Sequence, residues 1–185
     1  ISTLVDYIDW TPFFMTWSLA GKFPRILEDE VVGDEAQKLF DDAQVMLKNL
    51  MQSHSLQPKG VFGLFPANSV EDDIHIFADE NRDTVWQTSS QLRQQTEKPK
   101  GANHCLADYI APASSGKKDY IGAFAVTAGV EEDALAKHFE ERGDDYNAIM
   151  VKAVCDRLAE AFAEYLHQQV RKLHLAYAAD EDLDN

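Results

Sequence analysis

Asp9 lies inside the stretch YIDWTPFFMTW, residues 7–17, where Tyr7, Trp10, Phe13, Phe14 and Trp17 surround it. So dense a set of rings exceeds what is needed to hold down a chain terminus. The acid is either a surface charge beside a hydrophobic anchor or a binding group that the rings frame. A second set of reactive types recurs near the end of the chain. Lys152, Asp156, Glu160 and Glu164 stand four residues apart, which places them on one ridge of a helix. Successive acids at that spacing repel by a few tenths of a kcal/mol per pair, and Lys152 and Arg157 are the nearby offsets. This ridge reads as a solvated acidic face, or as a strip that meets a cation, a donor group or a partner.

Glu164-x-x-His167 has the spacing that carboxylate-bridged di-metal bundles take from each of two helices. Only one helical copy occurs here, because Asp72 and His75 fall in strand-like sequence. The expectation is therefore no metal site; a metal-dependent hydrolase built on Glu160, Glu164 and His167 is the rival that elemental analysis tests. No G-x-G-x-x-G, P-loop or G-x-S-x-G motif is present. His104 and Cys105 are neighbours, and neighbours in a strand point to opposite faces, which disfavours a dyad. Arg93, Lys98 and Lys100 interrupt an otherwise acidic chain, as exposed charges or as a contact for an anionic partner.

The elements that must position these groups follow from periodicity. Gly21 and Pro24 break the segment after the aromatic stretch. Over residues 34–53, Ala36, Leu39, Phe40, Ala43, Met46, Leu47 and Leu50 recur at helical steps. VFGLFPA reads as a buried strand, and DDIHIFAD alternates as a strand with one inward face, so the turn between them predicts an antiparallel hairpin. TVWQTSSQLRQQTEK is ambiguous, β-rich at its start, while CLADYIAP and DYIGAFAVTAG are further strand candidates. EEDALAKHFEER reads as a short helix with acids at its positive end. Residues 144–178 read as one long helix whose apolar stripe includes Val151, Val154, Leu158, Ala161, Phe162 and Tyr165. The tail AADEDLDN reads as a linker or frayed end. Strands in the middle and helices at both ends make the class α+β.

Composition sets the outer limits. A chain of 185 residues fits one domain, and at that size roughly 70% of the unfolded surface is buried without a disulfide or metal staple. The net charge of −15 argues against a nucleic-acid partner, which needs clustered Lys and Arg. No apolar run reaches the roughly 18 residues of a spanning helix, so no membrane is expected. Cys105 and Cys155 show no metal or redox spacing and read as buried thiols in a cytoplasmic protein. The chain starts at Ile1, which suggests an excised or processed piece.

The segments YIDWTPFFMTWSLAGKFPRIL, GLFPAN, LRQQTEKP, CLADYIAP, DYIGAFAVTAG and DRLAEAFAEYLH together resemble the C-terminal reactivation domain of cobalamin-dependent methionine synthases of bacterial type. They occur in that family's order and cover most of the chain. The resemblance implies a mixed, largely antiparallel sheet with surrounding helices, including one long C-terminal helix. It implies a domain that binds S-adenosylmethionine and presents its methyl group to oxidised cob(II)alamin while a reductant, usually flavodoxin, supplies an electron. The parent enzymes transfer methyl from methyltetrahydrofolate to homocysteine, with cobalamin and zinc held by other modules.

Carried across by position, the resemblance makes Asp9 in YIDWTPFF and Glu160 in RLAEAF the acids that meet S-adenosylmethionine. A carboxylate in a partly apolar frame suits a ligand bearing an ammonium and a sulfonium, and aromatic faces add cation–π attraction. Glu132 in EEDALA and Asp156 in CDRLAE match acids at the interface with the cobalamin module, where a carboxylate stabilises a protonated axial imidazole. The family's Arg-Pro-x-x-Gly-Tyr-Pro loop, whose Arg suits the ligand carboxylate, is absent up to Asn185. The expectation is that residues 1–185 form the N-terminal part of the domain, with part of the ligand site supplied from beyond them and weak or no ligand binding alone. The alternative is an interaction module that docks on the cobalamin module or flavodoxin without a small molecule.

Overall fold

The computed structural model describes residues 1–181 and divides the chain into two compact units. The class is α+β, with an antiparallel sheet, helices before and after it in the chain, and one long C-terminal helix. The first unit holds residues 1–61 together with the chain from residue 125 onward, and the second holds residues 62–124.

In the first unit a 3-10 turn, Ser2–Tyr7, leads to the short helix α1, Thr11–Thr16. Pro12 suits the first turn of α1, where its missing N–H has no intrahelical partner to lose. The Thr11 amide instead donates to Asp9 Oδ1 at 2.8 Å. Helix α2, Gly33–Ser53, confirms the periodicity of residues 34–53, with Ala36, Leu39, Ala43, Met46, Leu47 and Leu50 buried. Its start is crowded: a Cβ on Gly33 would lie 2.9 Å from the Leu27 carbonyl oxygen, so only glycine fits there. Its end is closed by His54 in the left-handed region. Helix α3, Glu132–Glu140, opens on Glu132 and Asp133. Helix α4, Asp145–Gln169, is capped by Asp144, whose Oδ1 accepts the Asn147 amide at 3.1 Å. Phe13, Phe14, Met150, Val151, Val154 and Leu158 are fully buried at the centre of this unit.

The long helix stops earlier than the apolar stripe suggests. A π-helical turn, Val170–His174, follows Gln169, and the chain then bends back. The Arg171 carbonyl accepts the Ala178 amide at 3.2 Å, Lys172 Nζ reaches the Glu181 carbonyl at 2.7 Å, and Arg171 pairs with Glu181. These bonds compete with continued helix, a competition that hydrophobic periodicity does not register. Of the tail AADEDLDN, residues 182–185 lie outside the described residues.

Strands β1, Lys59–Val70, and β4, Asp119–Thr127, carry the chain between the units, with β2, Asp73–Phe77, and β3, Val85–Ser90, wholly in the second. The sheet order is β3-β2-β1-β4. The expected hairpin is present: β1 pairs antiparallel with β2, Ala67 opposite Ile76 and Ser69 opposite Ile74. The ambiguous TVWQTSSQ resolves as β3, antiparallel to β2. CLADYIAP is not a strand but a 3-10 turn, Leu106–Tyr109. Asp108 closes it on itself, its amide donating to the Cys105 carbonyl and its carboxylate accepting the Cys105 amide at 2.9 Å. Such local side-chain bonds offer the backbone an alternative to a ladder. Both cysteines are buried free thiols, as expected.

Candidate functional site

Asp9 and Glu160, remote in sequence, line one groove of about 700 Å³ in the first unit. That volume suits a small organic ligand. One wall comes from the N-terminal segment and the other from α4 and the π-helical turn. Glu160, Glu164, His167 and Arg171 follow each other at three- and four-residue steps and all line the groove. Tyr7 joins the walls, its hydroxyl donating to Gln168 Oε1 at 2.6 Å while its ring meets Tyr165 edge-on at 5.6 Å. Behind the opening lies Trp10, buried and set edge-on against Phe13 at 5.4 Å and Phe40 at 5.0 Å. Phe23 adds a further apolar surface. The aromatic stretch is thus both anchor and frame: Phe13 and Phe14 are core, whereas Tyr7 and Trp10 border the groove.

The charges of the groove are unevenly matched. Glu160 pairs with Arg157, one helical turn back. Arg171 pairs with Glu181. Asp9 gives one oxygen to the Thr11 amide. Asp6 and Glu164 add two more carboxylates to the lining, and neither has an ion-pair partner among the described residues. A cation is the charge this lining favours.

Glu132 and Asp156 form a second acidic locus between α3 and α4. Burial pushes the Glu132 carboxyl above its usual range, and the charges of Asp156 and Asp133 push it further. Beneath them the Cys155 thiol is pushed up to about 12 by burial and by the same two acids, Glu132 and Asp156. Lys152 lies nearby and bonds Glu140 at 3.3 Å. A second cation brought to Glu132 and Asp156 would relieve this repulsion.

The remaining sequence candidates part company. Glu164 and His167 do share a groove, but among the described residues no group of three or more His, Cys, Asp or Glu is placed to hold a metal ion. Arg93 is no exposed docking charge. It bonds Asp72 at 2.6 Å and Asp108 at 2.7 Å within the second unit, and Lys98 turns to Gln94 and the Ala102 carbonyl. Tyr7 borders the groove as one of the rings that frame Asp9, and Phe23 and Gln168 join it without a motif that marks them. The spacing of Gln168 one turn beyond Glu164 was the available signal, since that step continues the ridge. Among the described residues no helix is long and apolar enough to cross a membrane.

A family model described as "Vitamin B12 dependent methionine synthase, activation domain" matches residues 1–185. A solved structure, described as the crystal structure of the MetH reactivation domain bound to AdoHcy, is 67% identical to this chain with a TM-score of 0.92. The match covers 98% of this chain and 56% of that one, so this chain spans a little over half the length of the relative.

Proposed function

Because the chain belongs to the activation-domain family of vitamin B12 dependent methionine synthases, we propose that its groove holds the cationic part of S-adenosylmethionine for reactivation of the cobalamin enzyme. The observation that carries this reading is the meeting of Asp9 and Glu160 in one aromatic-bordered groove. The AdoHcy bound by the 67% identical relative is the demethylated form of that ligand, which supports the same class of occupant here.

The chemistry required of this chain is positioning. A carboxylate 4 Å from a unit positive charge gains about 4 kcal/mol where the surroundings screen as a protein surface does. Asp9 is well placed for this because the Thr11 amide fixes its carboxylate at the start of α1. Trp10 and Phe23 exclude water beside the ligand. Cobalamin, held by another module together with zinc elsewhere in the full enzyme, would supply the cobalt that accepts the methyl group. Toward the cobalamin module this chain presents Glu132 and Asp156, whose mutual repulsion suits a protonated imidazole between them. A flavodoxin-like reductant supplies the electron, and the setting is cytoplasmic. The group that holds the ligand carboxylate comes from the part of the domain that this chain does not span.

The experiment is calorimetric titration of S-adenosylmethionine into a protein carrying the complete activation domain, with and without Asp9→Asn. The expected result is at least a roughly tenfold loss of affinity, equivalent to about 1.4 kcal/mol. Unchanged affinity would overturn the reading and favour the pure interaction module, for which the acidic locus at Glu132 and Asp156 is the natural docking point.

A further inference from the structure

We propose that Glu164 makes the groove selective for the positively charged sulfonium of the methyl donor over the neutral thioether left after transfer; this rests on the reading of the groove given above. Three carboxylates of the lining invite comparison. Glu160 already shares its charge with Arg157, and Asp9 gives an oxygen to the Thr11 amide. Glu164 has no hydrogen-bond or ion-pair partner among the described residues, yet it lines the same groove. Its charge is therefore the one that the α4 wall of this groove leaves for a ligand.

Position strengthens the case. Glu164 stands one helical turn beyond Glu160 and one turn before Gln168, whose side chain is pinned by the Tyr7 hydroxyl. The residue thus occupies the middle of the α4 wall, between an acid already paired with Arg157 and a fixed amide. The only arginine of this lining, Arg171, is paired with Glu181 and does not offset it. Asp6, on the opposite wall, adds negative charge but stands on the 3-10 turn rather than on this ridge.

The donor and its demethylated product differ by one methyl group and one positive charge. Shape and hydrogen bonding are almost shared between them, so a site that prefers the donor must read the charge. An uncompensated carboxylate does so: it attracts the sulfonium and gains nothing from the thioether. Preference for the donor also favours release of the product once the charge is gone.

The test is paired titration of S-adenosylmethionine and S-adenosylhomocysteine into a protein carrying the complete activation domain, as wild type, Glu164→Gln and Glu164→Asp. Glu164→Gln is expected to weaken donor binding about five- to tenfold while changing product binding less than about twofold. Glu164→Asp, which keeps the charge, is expected to retain most of the donor preference. Equal weakening of both ligands, or no change in either, would overturn the proposal while leaving the ligand site itself standing. Failure of the wild-type protein to bind either ligand would overturn both the site and this proposal.

Discussion

The helical unit buries Phe13, Phe14, Leu47, Met150 and Leu158 almost completely, whereas the buried apolar cluster of the sheet unit is Ala67, Ile74, Cys105 and Ala107. Small side chains supply little transfer energy, and the sheet unit makes up the difference with buried and half-buried polar ties. Asn68, only 5% exposed, donates to the carbonyls of Ala111 at 2.9 Å and Lys117 at 2.8 Å. Arg82 lies over the rings of Phe77 and Tyr120 and donates to Ala67 O, Asn68 Oδ1 and Asp119 O. Arg93 clamps Asp72 and Asp108. The two units therefore have different vulnerabilities. An apolar core tolerates charge on its surface, which lets the helical unit carry an unbalanced acidic groove. A unit held by polar ties is exposed to any change in their charge or geometry.

The largest expected effect tests the apolar side. Phe13→Ala should cost about 3–5 kcal/mol, read as a fall in the denaturant midpoint. A loss below about 1 kcal/mol would mean that the helical unit does not rest on this core. Next comes Arg82→Met, which keeps bulk but strands three acceptors. We expect a loss of about 1–3 kcal/mol, with faster hydrogen exchange in β1 and β2 and unchanged protection in α4. Uniform loosening of α4 as well would erase the contrast between the units. The smallest effect is the pH dependence of one clamp in the sheet unit. The Arg93 guanidinium, aided by the Cys105 amide, holds the Asp108 carboxyl at about 2. A depressed carboxyl contributes stability that is fully present above its unfolded value near 3.9 and is lost as pH falls through about 2. Carboxyl NMR should find Asp108 titrating near 2 in the native protein and shifted upward in Arg93→Gln. An Asp108 midpoint near 4 with Arg93 intact would refute the clamp.

The legibility of the sequence follows the same division. Helix α2 was plain because its apolar residues recur at helical steps and nothing local competes. The hairpin of β1 and β2 was equally plain, from alternation bounded by a turn. CLADYIAP misled because Asp108 folds back on Cys105, a bond that hydropathy cannot see. The end of α4 lies earlier than residue 178 for a related reason: Arg171, Lys172 and Glu181 tie the chain back, in a segment with no Gly or Pro to mark the stop. Arg93 looked like a surface cation because its partners, Asp72 and Asp108, are remote in sequence. At the site, the acidic ridge of α4 and the framed Asp9 were both visible, but spacing alone could not bring them together. Family resemblance joins Asp9 to Glu160, and the groove adds Phe23 and Gln168.

The bond from Tyr7 to Gln168 closes the groove across 161 residues of chain. Synthesis proceeds at roughly 5–20 residues per second, so roughly ten to thirty seconds separate the two side chains on the ribosome. Throughout that interval the nascent chain already carries Asp9 and its rings, with no opposite wall to receive them. A translation product that ends before α4 would keep the whole aromatic stretch and possess no groove at all.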